Sequence, residues 1–180
     1  MINKWSHPNL GEFSYEDEHW SKLISLPSFN KFKLNFNENK CNSDEISFYS
    51  EDVDLIPTIN SIKLLNLILS NQEKISNMIV KVLWDDFHGT NYNSGMWWHG
   101  AFDEVFEYIE KKPTSAEELF NHLSFSCVTI NNSTEIDDEE PIAEISFEAS
   151  FEEEHGVSVL TDGIDILGTG YILSVTPFKG

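Results

Sequence analysis

The stretch FEEEHG at residues 151–156 sets three carboxylates and an imidazole side by side, the groups that bind metals and move protons. Spacing limits what they can do. Glu154 and His155 are adjacent, so on an extended chain they point to opposite faces; Glu153 and His155 share a face, but two ligands do not make a metal site. A second candidate is MWWHGAFDE, residues 96–104, where His99 precedes Asp103 and Glu104 by about one helical turn. Gly100 predicts a helix that begins only after His99, and an imidazole beside Trp97 and Trp98 suits packing or the wall of a small-ligand pocket.

Covalent chemistry finds less support. There is no G-x-S-x-G elbow, and Cys41 and Cys127 stand far apart without zinc or redox spacing. Cys127, in LSFSCVTI, reads as a packed free thiol. Gly168 and Gly170 in LGTGY lack the third glycine and following helix of a dinucleotide loop, so a bulge or bend in a strand is expected. His88 and His122 are isolated. The expectation is a protein that is not an enzyme and carries no metal or cofactor.

Charge is more informative. The 180 residues hold 31 acids against 11 basic side chains, all of them lysine, for a net charge of −20. Such a surface repels nucleic acid and anionic membranes and attracts basic partners. Without arginine, the preferred clamp for phosphate, a nucleotide site is not expected. The imbalance grows along the chain: residues 113–180 carry fourteen acids and one lysine, Lys179. The N-terminus has no hydrophobic signal core and no apolar run reaches membrane-spanning length, which predicts a cytoplasmic protein.

The elements that must position these groups follow from periodicity. GEFSYED and WSKLISL read as a hairpin turning near Glu18–His19, KFKLNFN as a strand with Phe32, Leu34 and Phe36 on one face, and EISFYS as another. From Pro57 the period becomes helical, with Ile59, Ile62, Leu65 and Leu69 as one stripe. A further helical run opens on a capping box, Ser70 with Glu73, and continues through Ile75, Met78, Ile79 and Val82. GAFDEVFEYIEKK predicts a helix through Phe102, Val105, Phe106 and Ile109, and SAEELFNHL a short one capped by Thr114. After residue 124 the period returns to two, giving strands in SFSCVTIN, PIAEISFEASF, GVSVLT and GIDILGTGYILSV, with Asp162–Gly163 turning between the last two. The fold class is α+β: N-terminal strands, a helical middle over about 57–123 and a C-terminal antiparallel sheet, in a single domain spanning 1–180.

Alternation in PIAEISFEASFEEE puts Ala143, Ile145, Phe147, Ala149 and Phe151 on an apolar face, and Glu144, Glu148 and Glu152 on the other. Alternate residues lie about 7 Å apart, close to the phosphate spacing of a nucleic-acid strand. Glu135, Asp137, Asp138, Glu139 and Glu140 lead into this strip and Glu153 extends it. The bland reading is an ordinary solvent-facing sheet edge; the functional one is a polyanion mimic that covers a basic cleft.

Two stretches carry a family resemblance: HPNLGEFSYEDEHWSKLISLPSF near the start and ISFEASFEEEHGVSVLTDGIDILGTG near the end. They resemble a bacterial domain family of unknown function with an E-E-H-G strand motif, found beside polymorphic toxins and among presumed immunity proteins of contact-dependent growth inhibition systems. Phe151 stands where that group carries tryptophan. The resemblance implies a non-catalytic immunity protein, with His155 and Gly156 shaping the turn between the FEAS and GVSVL strands. Joined to the charge, it gives the expectation of a protein that binds a basic toxin domain, a nuclease above all, through Asp137, Asp138, Glu139, Glu140, Glu144, Glu148, Glu152 and Glu153. The alternatives are an enzyme or small-ligand domain with a pocket near Trp97, Trp98 and His99, and an acidic adaptor for another basic protein.

Overall fold

The computed structural model describes residues 3–34, 44–131 and 140–179. Its strands are β1 (Asn3–His7), β2 (Gly11–Glu16), β3 (His19–Leu23), β4 (Glu45–Tyr49), β5 (Leu123–Asn131), β6 (Ala143–Ala149), β7 (Glu152–Thr161) and β8 (Ile166–Gly170). All eight lie in one sheet in chain order. Each neighbour pair is antiparallel except β4 and β5, which run parallel and join the N-terminal strands to the C-terminal ones. A parallel pair needs a crossover, and here it contains α1 (Ile59–Phe87) and the short α2 (Phe102–Val105). The α+β order expected from the sequence is the one observed.

The β2–β3 hairpin turns at Asp17 and Glu18, with φ of 48° and 63°, the paired positive values of a two-residue hairpin turn. At the other end, Asp162 Oδ1 accepts from the amides of Ile164 and Asp165, and Gly163 takes φ 87° between β7 and β8. The register holds through the middle of the sheet and shifts only in the C-terminal pairs, at Phe125/Cys127, Phe147/Ala149 and Leu160/Thr161. Trp20, Phe48, Ile130 and Ala143 form one buried row, and Ile46, Val128, Ile145 and Val159 the next. Thr169 lies opposite Val159 and bonds to Asp86 of α1, so this apolar face is the one the helix covers.

Helix α1 is a single run of 29 residues, about 43 Å long. Thr58 caps it by accepting from the Ser61 amide at 3.1 Å. The capping box expected at Ser70 and Glu73 is not used: Ser70 Oγ donates back to the Asn66 carbonyl at 2.8 Å, and Glu73 pairs with Lys31. No helix breaker separates the two periodic segments, so they propagate as one. The buried stripe is Ile62, Leu65, Ile68, Ile75, Ile79, Leu83 and Phe87, while Ile59, expected on it, is 77% exposed.

Three other expectations are corrected. Of the strand expected over KFKLNFN, residues 31–37, Lys31 instead ends a 3-10 turn that runs from Pro27, and 32–34 are irregular. Pro27 starts that turn, and Ser28 and Lys31 bond to Gln72, Glu73 and Asn77 of α1, so docking on the helix overrides the local alternation. Phe36 and Cys41 fall outside the described residues. The helix expected over GAFDEVFEYIEKK shrinks to α2, because Phe106 turns onto Phe87 and Phe151 instead of continuing a helical face. The next turn, Ala116–Asn121, is 3-10 in form and begins at Ser115, while Thr114 gives both its amide and hydroxyl to Glu118.

The third correction concerns the C-terminus. Strand β8 stops at Gly170, and residues 171–179 fold back over the sheet face away from α1. Glycines make the room. A methyl group at Gly156 would strike Ile172 and the Phe147 carbonyl, one at Gly168 the backbone of Thr176, and one at Gly170 the backbone of Val175. The segment is tied down by the Phe178 amide on the Leu167 carbonyl at 2.8 Å, and by the Lys179 amide on the Asn93 carbonyl at 2.9 Å.

Candidate functional site

The acidic strip is interrupted. Strand β6 ends at Ala149, the chain turns at Ser150–Phe151, and Glu152 opens β7. Over 143–149 alternation holds: Ala143, Ile145, Phe147 and Ala149 are buried, and Glu144 and Glu148 are half-buried on the opposite face. Glu152 pairs across the ladder with Ala149, so it belongs to the helix side and not to the row of Glu144 and Glu148. The ladder resumes only at Phe147–Val157, with Glu153, Glu154, His155 and Gly156 in the bulge between. Thus EHG lies inside β7 and does not make the turn; Gly156, at φ 65°, supplies the backbone bend of the bulge.

The other acids divide accordingly. Asp137, Asp138 and Glu139 fall outside the described residues, and Glu140 is exposed just before β6. Glu144 Oε1 accepts the Leu173 amide at 2.9 Å, so this carboxylate anchors the C-terminal segment. Glu148 stands opposite Ser124 of β5, and Glu153 is exposed. Across the same face, Ser47 meets Thr129, and Ser146 meets Ser158, through hydroxyl pairs at 3.2 and 3.0 Å. Cys127 lies among them; burial pushes its thiol above the ordinary range, against the favourable contacts of Thr129 and Ser146.

The segments FEEEHG and MWWHG, remote in sequence, meet. Glu152 Oε2 accepts from the Trp97 indole at 3.3 Å, and its Oε1 bonds to His155 Nδ1 at 3.0 Å. Glu152 is only 11% exposed, against 53% for the His155 ring. That ring stacks on Tyr171, with centroids 4.5 Å apart and planes at 28°. Burial, then the charges of Glu152 and Glu154, raise the Tyr171 hydroxyl above its ordinary value, while a hydrogen bond to Trp97 works the other way. Trp97 itself is 47% exposed.

Beneath this surface lies Asp86, fully buried. Its Oδ1 accepts from the Ser94 amide at 3.1 Å and from His99 Nδ1 at 2.8 Å. Its Oδ2 accepts from the Trp98 indole at 2.8 Å and the Thr169 hydroxyl at 3.2 Å. Both oxygens are thus fully engaged, as a buried polar group requires. Its backbone carbonyl also receives the amides of Gly89 and Gly100. One aspartate therefore ties the end of α1 to the 88–101 loop and to β8. The arrangement fixes His99 with Nδ1–H toward Asp86 and Nε2 turned away, the carboxylate–histidine geometry used to orient an imidazole. Among the described residues, no group of three or more His, Cys, Asp or Glu is placed to hold a metal ion.

Sequence reasoning passed over Asp86, yet a signal was present. It lies three residues after Leu83 and seven after Ile79, on the apolar stripe of α1, where a carboxylate must find buried donors.

Fold and site together define an α+β protein in which one long helix covers an eight-stranded sheet and a single buried aspartate organises the polar contacts at one end. The chain belongs to the family described as a domain of unknown function, DUF6985, whose model matches residues 9–172 and so takes in Asp86, Trp97–His99, Glu152–His155 and Tyr171. No curated protein and no solved structure matches the chain. Among the described residues no helix is long and apolar enough to cross a membrane.

Proposed function

We propose that this is an immunity-type protein of the cytoplasm, which binds a basic cognate toxin domain, a nuclease above all, and neutralises it by covering its nucleic-acid-binding cleft. It acts by binding and not by chemistry of its own. The observation that carries the reading is the charge, −20 with no arginine, and its concentration in the C-terminal third. Glu140 and Glu153 are exposed at the two ends of this acidic stretch, and Glu148 lies half-buried between them on the side of β6 away from the core. A nuclease needs a positive cleft for its polyanionic substrate, and an acidic face suits it by charge and by steered association.

The test is association with any basic toxin domain that the neighbouring genes prove to encode, measured by stopped flow and by protection of cells expressing that domain. Reversal of Glu148, Glu153 and Glu140 to lysine should slow association by about tenfold, and added salt should slow the wild type in the same sense. Glu144 and Glu152 are left intact in this variant, because each holds structure together. A folded variant that binds and protects at full strength would place the interface elsewhere.

The oriented His99 favours a second reading, a small-ligand or catalytic pocket near Trp97, Trp98 and His99. Under it, His99→Gln would abolish ligand binding while leaving toxin protection untouched.

A further inference from the structure

We infer that the surface formed by Trp97, His155 and Tyr171 is a cradle for an arginine side chain presented by a partner protein. The inference rests on the proposed binding of a basic partner and names the group that this partner offers.

Three observations converge. Trp97 exposes about half its surface yet is not free to swing, because its indole N–H is committed to Glu152. The same carboxylate holds the His155 imidazole, and that ring is stacked on Tyr171, so one largely covered acid presets two rings directly and a third through the stack. A surface ordered in advance loses little conformational entropy on binding, and tryptophan anchors of this kind dominate interface energetics. Beside the rings, Glu153 and Glu154 are exposed in the bulge of β7, and Glu154 is near enough to act on the Tyr171 hydroxyl.

Aromatic faces with carboxylates at their margin select a cation. A guanidinium fits better than an ammonium, since it is planar, stacks flat on an indole and can bridge two acceptors. The chain contains no arginine, so that group must come from another molecule. Lys179, whose side chain lies over Gly95 two residues before Trp97, places one positive charge at the rim.

The test uses the whole protein, uniformly labelled with carbon-13 and nitrogen-15 so that indole, imidazole and phenol rings are all observed, titrated with the capped dipeptide of two arginines and, separately, of two lysines. The arginine peptide should give a saturable shift of the Trp97 indole and of the His155 and Tyr171 rings, with affinity at least about fivefold above the lysine peptide. Trp97→Ala should weaken binding about tenfold. Tyr108→Ala, which removes a ring 91% exposed elsewhere, should change nothing. Lys179→Ala should tighten binding by removing the like charge. If Trp97→Ala loses its fold, the Glu153→Gln, Glu154→Gln double variant takes its place and should weaken arginine binding. Absence of a saturable shift, equal response to the two peptides, or unchanged affinity in the cradle variants overturns the inference. Arginine binding without toxin neutralisation would leave the cradle standing and remove the immunity reading. Neutralisation that survives Trp97→Ala, with no arginine binding, would do the reverse.

Discussion

Replacing Asp86 with asparagine keeps the shape of the side chain and changes what its second polar atom can do. The carboxylate accepts four hydrogen bonds, two on each oxygen. An amide offers one acceptor oxygen and an NH2 that only donates, so the two contacts on one oxygen are lost and two N–H groups are turned toward groups that donated there. Hydrogen bonds to a charged group contribute about 1.5–3 kcal/mol each, and part of that is returned because a buried charge no longer needs compensation. The net cost should be about 2–4 kcal/mol. In a domain of this length about 1 kcal/mol moves the melting temperature by roughly 2–4 °C, so Asp86→Asn should melt about 5–15 °C lower. Urea unfolding followed by tryptophan fluorescence measures the free energy, and the Trp98 indole proton reports whether its acceptor has gone. Thr169→Val separates the strand contact from the loop contacts: in the double variant its effect should be smaller than alone, since both changes remove the same bond. An Asp86→Asn protein within about 1 kcal/mol of wild type would refute the view that this aspartate ties helix, loop and β8 together.

Other outcomes follow from single contacts. Gly168→Ala should displace the C-terminal segment by its clash with the Thr176 backbone, seen as faster proteolysis after residue 170 and loss of protection at the Phe178 amide. Cys127, of intermediate exposure, should alkylate more slowly in the native protein than after unfolding, because burial disfavours its thiolate. His122 is held below the ordinary imidazole value, 6.5, by burial, with Glu118 opposing. The unfolded chain therefore takes up the proton first, and stability present above about pH 6.5 should fall as the pH drops toward the depressed folded value. His122→Gln, which keeps a polar partner for Ser150, should flatten that part of the stability–pH curve.

What the sequence could and could not disclose follows from the range of the forces involved. The turn at Asp162–Gly163 and the inward row of β6 are set by neighbours a few residues away and were legible, as was the first hairpin turn to within one residue, expected near Glu18–His19 and found at Asp17–Glu18; the cap at Thr58 was passed over. The strand expected around Phe32 and the helix expected after Gly100 fail because distant partners decide them: Gln72 and Glu73 of α1 in one case, Phe87 and Phe151 in the other. The face expected for Glu152 fails for a subtler reason. Alternation carries a face assignment along a strand only while the strand continues, and two residues of turn at Ser150–Phe151 suffice to send Glu152 to the helix side. That reversal brings Glu152 to Trp97, fifty-five positions away in the chain. The glutamates that read as one uniform surface thus do three different things. Glu144 fastens the C-terminal segment, Glu152 presets an aromatic surface, and Glu153 and Glu154 remain exposed beside it. A surplus of negative charge is consequently a poor guide to a contact face by itself; under the proposed binding of a basic partner, the acids still exposed next to ordered aromatic rings would combine electrostatic attraction with a defined shape, and these would distinguish one such partner from another.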